Sequence, residues 1–284
     1  MRLGGRRTSD NVDDRRGKGS VGKGTLGIGG VIIVGIIVWL MGGNPMDVAQ
    51  QFLNNGVGTE TAYTPSPQEE EAATFAKTIL AGTEDIWTEI FAQNGLKYVP
   101  PRMVLFSNAT RSGCGNASSS TGPFYCPVDQ TLYIDLSFFD QMKDQLNAGG
   151  DFAYAYVIAH EVGHHVQNLL GTIDKVHNQQ QRMSQKDANQ LNVRLELQAD
   201  FYAGVWANHD NKRFGSIEDG DIEEGLNAAS QIGDDRLQME AQGYTVPDSF
   251  NHGTSAQRNR WLKKGLDTGD MSAGDTFSVP QSQL

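Results

Sequence analysis

Residues 156–167 have the sequence Tyr-Val-Ile-Ala-His-Glu-Val-Gly-His-His-Val-Gln, which contains a His-Glu-x-x-His pattern formed by His160, Glu161 and His164. On a helix, residues four apart lie on one face, so both imidazoles can bind one Zn²⁺. Glu161 lies about 100° around the helix, where it can accept a proton from a zinc-activated water. Apolar residues flank the motif and predict a buried helix that ends near Gly171. The pattern therefore indicates a catalytic zinc site.

A catalytic zinc needs a third protein ligand and one open position. The third histidine of the longer pattern H-E-x-x-H-x-x-G-x-x-H is absent, because Gln167 and Leu170 stand where that pattern has its glycine and its last histidine. Glu196, which begins the sequence Glu-Leu-Gln-Ala-Asp, is the better candidate. A helix there would put Asp200 one turn away, where it can accept the free ring N–H of a ligating histidine. His177 is a weaker alternative ligand, because it lies in a polar Asn/Gln-rich stretch.

The charge distribution divides the chain into a basic beginning and an acidic body. The 284 residues include 23 Lys+Arg and 34 Asp+Glu, which gives a net charge of −11. Residues 1–24 hold seven basic and three acidic side chains, and this leaves 16 basic against 31 acidic residues in the remainder. An acidic body argues against nucleic-acid binding, which needs a basic face. The hydrophobic content of 38% excludes a wholly disordered chain.

An uncharged apolar stretch follows the basic residues, from Leu26 to Met41. With its flanking glycines it would be about 27 Å long as a helix, close to the ~30 Å of a bilayer core. No Ala-x-Ala cleavage site follows it, so an uncleaved anchor over residues 25–43 is predicted rather than a removed signal peptide. Basic residues are absent between Lys23 and Lys77, and the positive-inside rule then places the N-terminus in the cytoplasm. The sequence predicts a single-pass membrane protein whose remaining residues lie outside the cytoplasm.

Turn-forming residues and changes of periodicity mark the predicted boundaries of the chain. The segments are a basic cytoplasmic leader at 1–24, a transmembrane anchor at 25–43, a linker at 44–67, the zinc-binding domain at 68–265 and a C-terminal tail at 266–284. The domain is predicted to begin with a helix near Gln68 and to contain short strands at 103–106 and 131–136. After Ser137 the pattern is mostly helical. The predicted fold class is α+β, a small sheet backed by a helical majority.

Cys114 and Cys126 flank a loop that is rich in Gly and Ser, and they are the two cysteines of the chain. Two cysteines cannot form a Cys-rich zinc site, but they can form one bridge. A disulfide is expected if this side of the membrane is not cytoplasmic. It would close a 13-residue loop and contribute about 3 kcal/mol in the chain-entropy description.

The zinc motif and several shorter segments resemble the bacterial putative neutral zinc metallopeptidase family. The segments that carry this resemblance are residues 6–17, 114–115, 122–127, 133–138, 160–167, 196–204 and 252–258. The resemblance covers nearly the whole chain. It implies a membrane-anchored, gluzincin-like enzyme with a zincin-like fold, in which a glutamate is the third zinc ligand. It also implies a bacterial inner (cytoplasmic) membrane location, a periplasmic or otherwise extracytoplasmic catalytic domain, and a peptide or protein substrate.

The same resemblance suggests roles for residues outside the two zinc-binding segments. Related zincins use a His or an Arg after the third ligand to stabilise the oxyanion that forms from the scissile carbonyl. His252 is predicted for this catalytic role, and Arg258 is predicted to anchor either the substrate or the structure. An edge strand near residues 131–136 is expected to pair with an extended substrate, and Tyr133 and Phe124 are expected to line that cleft.

The predicted function is zinc-dependent hydrolysis of peptide bonds by a neutral metalloendopeptidase, with Glu161 as the general base. One alternative is a non-catalytic, zinc-stabilised binding module that is tethered to the membrane. A structural zinc usually has four protein ligands and no base beside it, so the ligand count distinguishes the two. Another alternative is a zinc-dependent hydrolase of a non-protein amide, which would use the same residues.

Overall fold

The computed structural model describes residues 1–17 and 63–284, which form a mostly helical α+β fold with a small sheet. The helices are α1 (Pro67–Gln93), α2 (Ser137–Asp144), α3 (Asp151–Leu169), α4 (Thr172–Gln180), α5 (Gln185–Phe214), α6 (Asp221–Gln231), α7 (Asp234–Gln242) and α8 (Ser255–Thr268). The strands are β1 (Val12–Asp14), β2 (Arg102–Phe106), β3 (Ala109–Ser112), β4 (Gly115–Ser118), β5 (Phe124–Cys126) and β6 (Thr131–Asp135). The predicted α+β class, a small sheet with a helical majority, is therefore confirmed.

Helix α1 begins at a capping box. The Ser66 side chain accepts a hydrogen bond from the Glu69 N–H at 3.2 Å, and the Glu69 carboxylate accepts one from the Ser66 N–H at 2.7 Å. Pro67 occupies the first turn, where its missing N–H leaves no bond unmade. The helix starts within one residue of its predicted start at Gln68. It then continues without a break through Gly82.

The sheet has the strand order β1-β2-β6-β5. Strands β1, β2 and β6 are parallel neighbours, whereas β5 is antiparallel to β6. Strands β3 and β4 form a separate antiparallel hairpin. The prediction that residues 131–136 form an edge strand was wrong, because β6 is paired on both sides and all of its residues are buried. The edge next to it is β5.

The helical layer brings the two halves of the zinc motif together. Helix α3 packs against α5, and α5 in turn packs against α8. At the crossing of α3 and α5, a Cβ atom added to Gly163 would lie 2.8 Å from the backbone oxygen of Ala199. Glycine is therefore needed at this point for the two helices to approach. Because Gly163 precedes His164 and Ala199 precedes Asp200, the crossing lies between the two motif segments.

Both ends of the chain pack on this framework, beyond the predicted domain limits of 68–265. Strand β1 pairs in parallel with β2, so residues 1–17 of the predicted leader contribute to the sheet. The tail after α8 buries Thr276 and Leu284, which are 0% and 1% exposed. Strand β1 was not predicted, because its three residues are too few to show an alternation of apolar and polar side chains and include charged residues.

The predicted anchor at residues 25–43 and most of the predicted linker at 44–67 lie outside the described residues. None of the helices within residues 1–17 and 63–284 combines the length and apolar character that a membrane span requires.

Candidate metal centre

His160, His164 and Glu196 meet at one point between α3 and α5. The Nε2 atom of His160 lies 3.3 Å from one carboxylate oxygen of Glu196, and the Nε2 atom of His164 lies 3.5 Å from the other. One potential ligand atom from each residue lies within 4.8 Å of the other two. Within the described part of the chain, this is the one such group of three His, Cys, Asp or Glu residues. The three predicted ligands are therefore brought together.

The ionisation of Glu196 suits it to bind a cation. Burial would raise the pKa of Glu196, but His164 and His160 beside it lower that pKa well below its usual value. An anionic carboxylate and two imidazole nitrogens form a donor set that zinc accepts. Three protein ligands also leave one coordination position for water or substrate, as catalytic zinc sites do. The residues present therefore fit the metal that the sequence predicts.

Asp200 holds His160 in the orientation that a metal ligand needs. Its carboxylate accepts from the Nδ1 atom of His160 at 2.8 Å and from the Tyr156 hydroxyl at 2.5 Å. Asp200 is fully buried. Burial would raise the pKa of Asp200, but Arg258 and His160 lower it to about 2. The anion fixes the proton of His160 on Nδ1 and leaves Nε2 free to bind metal, as predicted.

Arg258 supports Asp200 from α8. Its Nε and Nη2 atoms donate to the two carboxylate oxygens of Asp200, each at 2.9 Å. The Nη2 atom also donates to the Tyr156 hydroxyl at 3.0 Å. Arg258 is 3% exposed, so of its two predicted roles this position supports the structural anchor. Sequence reasoning missed Tyr156, although it lies one helical turn before His160 on the same face.

Gln167 orients the ring of His164, as Asp200 orients the ring of His160. Its side-chain oxygen accepts from the Nδ1 atom of His164 at 2.9 Å. Its amide nitrogen donates to the backbone oxygen of Leu195 at 2.7 Å and to the side chain of Gln198 at 3.1 Å. These bonds tie the end of the α3 motif to the residue before Glu196. The sequence showed Gln167 three residues after His164, but this role was not predicted.

Glu161 lies beside the ligands without joining them. It is 8% exposed, and burial raises its pKa, while His160 and His164 lower it part of the way. A backbone N–H of Tyr125 in β5 also favours the carboxylate form. Glu161 belongs to the part of α3 that carries the two histidines, and α3 packs against the edge strand β5. A carboxylate next to two metal-ligating histidines is the type of group that can act as a general base.

His252 precedes α8 and is held by a buried carboxylate. Its Nδ1 atom lies 3.2 Å from Asp234, which is 1% exposed and also accepts the backbone N–H groups of residues 251, 252 and 253 at 2.8, 2.7 and 2.9 Å. Burial would lower the pKa of His252, but Asp234 raises it, and Glu196 adds to the increase. Asp234 thus fixes the imidazole of His252 just before α8, the helix that packs against α5. No sequence motif indicates Asp234, which lies 18 residues before His252.

Helix α8 begins at a capping box. The Thr254 side chain accepts from the Gln257 N–H at 3.2 Å, and the Gln257 side chain accepts from the Thr254 N–H at 2.9 Å. This turn fixes the position of His252, two residues before it, relative to Arg258 in the helix that follows.

The other histidines near the motif have different surroundings. His177, the alternative ligand, is exposed on α4 and is outside the metal-binding group. His165 is fully buried between the Tyr125 hydroxyl, at 2.9 Å, and the backbone oxygen of Val99, at 2.7 Å. Burial lowers the pKa of His165 to about 4. His165 therefore links α3 to the edge strand as a neutral packing residue.

The aromatic pair expected to line a substrate cleft is mostly internal. Tyr133 is 3% exposed, and its ring stacks on that of Phe124 with the centroids 4.9 Å apart. Phe124 is half-buried in the edge strand. Tyr133 therefore packs inside the fold, and Phe124 is the one of the two that can meet a ligand.

The predicted disulfide between Cys114 and Cys126 is present, with a Cα–Cα distance of 5.8 Å. It joins the turn between β3 and β4 to the last residue of β5. The hairpin of β3 and β4 is thus covalently joined to the edge strand β5, which packs against α3.

Comparison of the sequence with known proteins finds a family and similar bacterial proteins. A sequence model of the family described as "Putative neutral zinc metallopeptidase" matches residues 1–277. The chain is 51% identical to "Uncharacterized protein YpfJ" of Escherichia coli (strain K12), over 98% of this chain and 99% of that protein. It is 45% identical to "Uncharacterized protein Rv2575" of Mycobacterium tuberculosis (strain ATCC 25618 / H37Rv), over 64% of each chain. No solved structure matches it.

Proposed function

Because the chain belongs to the putative neutral zinc metallopeptidase family, we propose that it hydrolyses peptide bonds with a zinc-activated water and Glu161 as the general base. One observation carries this proposal. His160, His164 and Glu196 converge on one point, while a fourth ionisable side chain, Glu161, lies beside them and outside the ligand group. A zinc site with three protein ligands and an adjacent base is suited to hydrolysis rather than to structural support.

Each residue of the site has a defined task in this mechanism. A bound Zn²⁺ supplies the Lewis acid that activates the water and polarises the scissile carbonyl. Glu161 accepts the proton of the attacking water and delivers it to the leaving amine. His252, with its Nδ1 atom held by Asp234, presents Nε2 to the oxyanion that develops on the carbonyl. The tautomer that Asp234 selects determines which nitrogen is available.

The edge strand β5 supports an extended peptide as the substrate. Its outer side has no partner strand within the described residues, and it packs beside α3 near Glu161. An extended chain can add to such an edge through main-chain hydrogen bonds, which recognise any sequence. A zincin-like fold is part of this proposal, because an active-site helix next to an antiparallel edge strand suits that mode of binding.

The test is cleavage of an unstructured protein such as casein by the purified full-length chain, with zinc added or removed by a chelator. Glu161→Gln should retain zinc and lose turnover, because an amide cannot accept the water proton. The matched control is Glu223→Gln, an exposed glutamate of α6, which should behave like the parent. Chelator-insensitive cleavage, or equal cleavage by Glu161→Gln and the parent, would refute the proposed mechanism. If the zinc-loaded parent cleaves neither casein nor a peptide library, the alternative of a zinc-stabilised binding module gains support.

A further inference from the structure

Two buried carboxylates of the helical layer take their partners from the beginning of the chain. Asp210 of α5 is fully buried, and the hydrogen bonds that the described residues make to it come from the Arg6 guanidinium, at 2.9 and 2.6 Å. Glu84 of α1 is 6% exposed and accepts from Ser9 at 2.5 Å and from Asn11 at 2.8 Å. Buried carboxylates without such partners are strongly destabilising. The N-terminal segment is therefore part of the fold.

The sequence of α1 is adapted to the same segment. Gly82 lies in the interior of this helix, where glycine is about 1 kcal/mol less favourable than alanine. A Cβ atom at this position would lie 2.5 Å from the Nη2 atom of Arg6. The guanidinium fills that space and also lies 4.1 Å from the ring centroid of Phe214. The absence of a side chain at Gly82 thus has a physical reason, which is the approach of Arg6.

The described residues on the two sides of positions 18–62 lie next to each other. The Met103 N–H donates to the backbone oxygen of Asn11 at 2.8 Å, and the Arg15 N–H donates to that of Leu105 at 2.7 Å. Three residues after β1, Gly17 packs so closely on the Tyr63 ring that a side chain on Gly17 would overlap it. Residues 17 and 63 are therefore neighbours in space.

We propose that the N-terminus and the domain formed by residues 63–284 lie on the same side of the membrane, joined through a docking surface made by Asp210, Glu84 and strand β2. Residues 18–62 contain one long uncharged apolar run, between 26 and 41. A single crossing by that run would separate the two parts that these contacts join. This proposal revises the predicted single-pass orientation, and it is independent of the proposed catalytic activity.

Cysteine labelling in intact bacteria tests the shared side directly. The native cysteines are bridged, so a single new cysteine is the reactive one. Thr8→Cys reports on the exposed part of the N-terminal segment, and Val128→Cys reports on the domain, where Val128 is 75% exposed. Both should react with a membrane-impermeant maleimide under the same conditions, either before or only after permeabilisation. Labelling of one before permeabilisation and of the other only after it would overturn the proposal.

Thermal unfolding of the full-length protein in vesicles tests the docking surface. Arg6→Ala should lower the melting temperature by about 5–15 °C, because it leaves Asp210 buried and unpaired. The control Asp10→Ala removes an exposed charge of the same segment and should change it by about 1 °C or less. Gly82→Ala should destabilise the parent but not the Arg6→Ala variant. Equal melting of Arg6→Ala and Asp10→Ala, or a stabilising Gly82→Ala in the parent, would overturn the proposal.

Discussion

Replacing Arg258 by leucine should destabilise the protein and weaken zinc binding, although this arginine is not a metal ligand. The side chain makes two charged hydrogen bonds to Asp200, each 2.9 Å long. Leucine removes both donors while it retains much of the apolar packing. Asp200 then keeps the bonds from Tyr156 and His160, but its negative charge stays fully buried. The variant therefore leaves an uncompensated buried charge.

The size of the effect follows from that burial. Breaking a buried ion pair by removing one partner costs about 3–5 kcal/mol, which corresponds to a decrease of about 6–20 °C in the melting temperature. The exposed arginine of α7 offers a matched comparison. Arg236 is 44% exposed and pairs with Glu240 one turn later at 2.9 Å. Such pairs are worth about 0.3–0.5 kcal/mol, so Arg236→Leu should change the melting temperature by about 1–2 °C.

The assay is a thermal melt of each variant, with and without one equivalent of zinc, together with a competitive zinc titration. Arg258→Leu should bind zinc more weakly by up to about 10-fold, because Asp200 no longer holds His160 in a fixed orientation. The melting temperature and zinc affinity of Arg258→Lys should lie between those of the parent and of Arg258→Leu, since an ammonium group cannot form both parallel bonds. If Arg258→Leu has the same melting temperature as Arg236→Leu and binds zinc as tightly as the parent, the supporting role of Arg258 is refuted.

A second substitution separates charge from orientation. Asp200→Asn in the Arg258→Leu background removes the charge that leucine leaves unpaired, so part of the lost stability should return. Zinc affinity should not return, because an amide is a weaker acceptor for His160 and no longer selects its tautomer. Additive losses of stability in the double variant would show that Asp200 and Arg258 do not act as a pair.

Three further outcomes are expected. Gly163→Ala should weaken zinc binding, because the new methyl group would lie 2.8 Å from a backbone oxygen of α5 and force the two motif helices apart; unchanged zinc affinity would contradict this. Replacing Cys114 and Cys126 together by serine should lower stability by about 3 kcal/mol, as measured by denaturant unfolding, and an unchanged midpoint would show that the bridge contributes nothing. His252→Ala should lower kcat by about 10²–10³ with little change in KM, whereas Asp234→Asn should also destabilise the fold. A change in KM alone would remove His252 from the catalytic step.

The metal centre could be predicted from the sequence because its spacing is local. His160 and His164 are one helical turn apart, and so are Glu196 and Asp200, so each pair shares a face whatever the rest of the chain does. The disulfide could also be predicted from the sequence, since two cysteines allow one pairing. By contrast, Asp234 and the close approach at Gly163 depend on which helices meet, and helix periodicity does not specify that.

The N-terminal segment shows the opposite situation, because its contacts with the rest of the fold have no local signal in the sequence. Seven basic residues before an apolar run are typical of a cytoplasmic leader, and the positive-inside rule uses only that pattern. The acidic partners of Arg6 and Ser9 are distant in sequence, at Asp210 and Glu84. Charge counting cannot distinguish arginines that face a membrane surface from arginines that fill buried sites in the same chain.

The most direct test of the proposed zinc site is X-ray absorption spectroscopy at the zinc edge of the metal-loaded protein. We expect one zinc per chain with two imidazole nitrogens at about 2.0–2.1 Å, one carboxylate oxygen from Glu196 and one exchangeable oxygen from water. In the Glu196→Ala variant the carboxylate contribution should disappear, while His177→Ala should give the spectrum of the parent. A fourth protein ligand in the parent, or a spectrum that changes with His177 and not with Glu196, would contradict a three-ligand catalytic site.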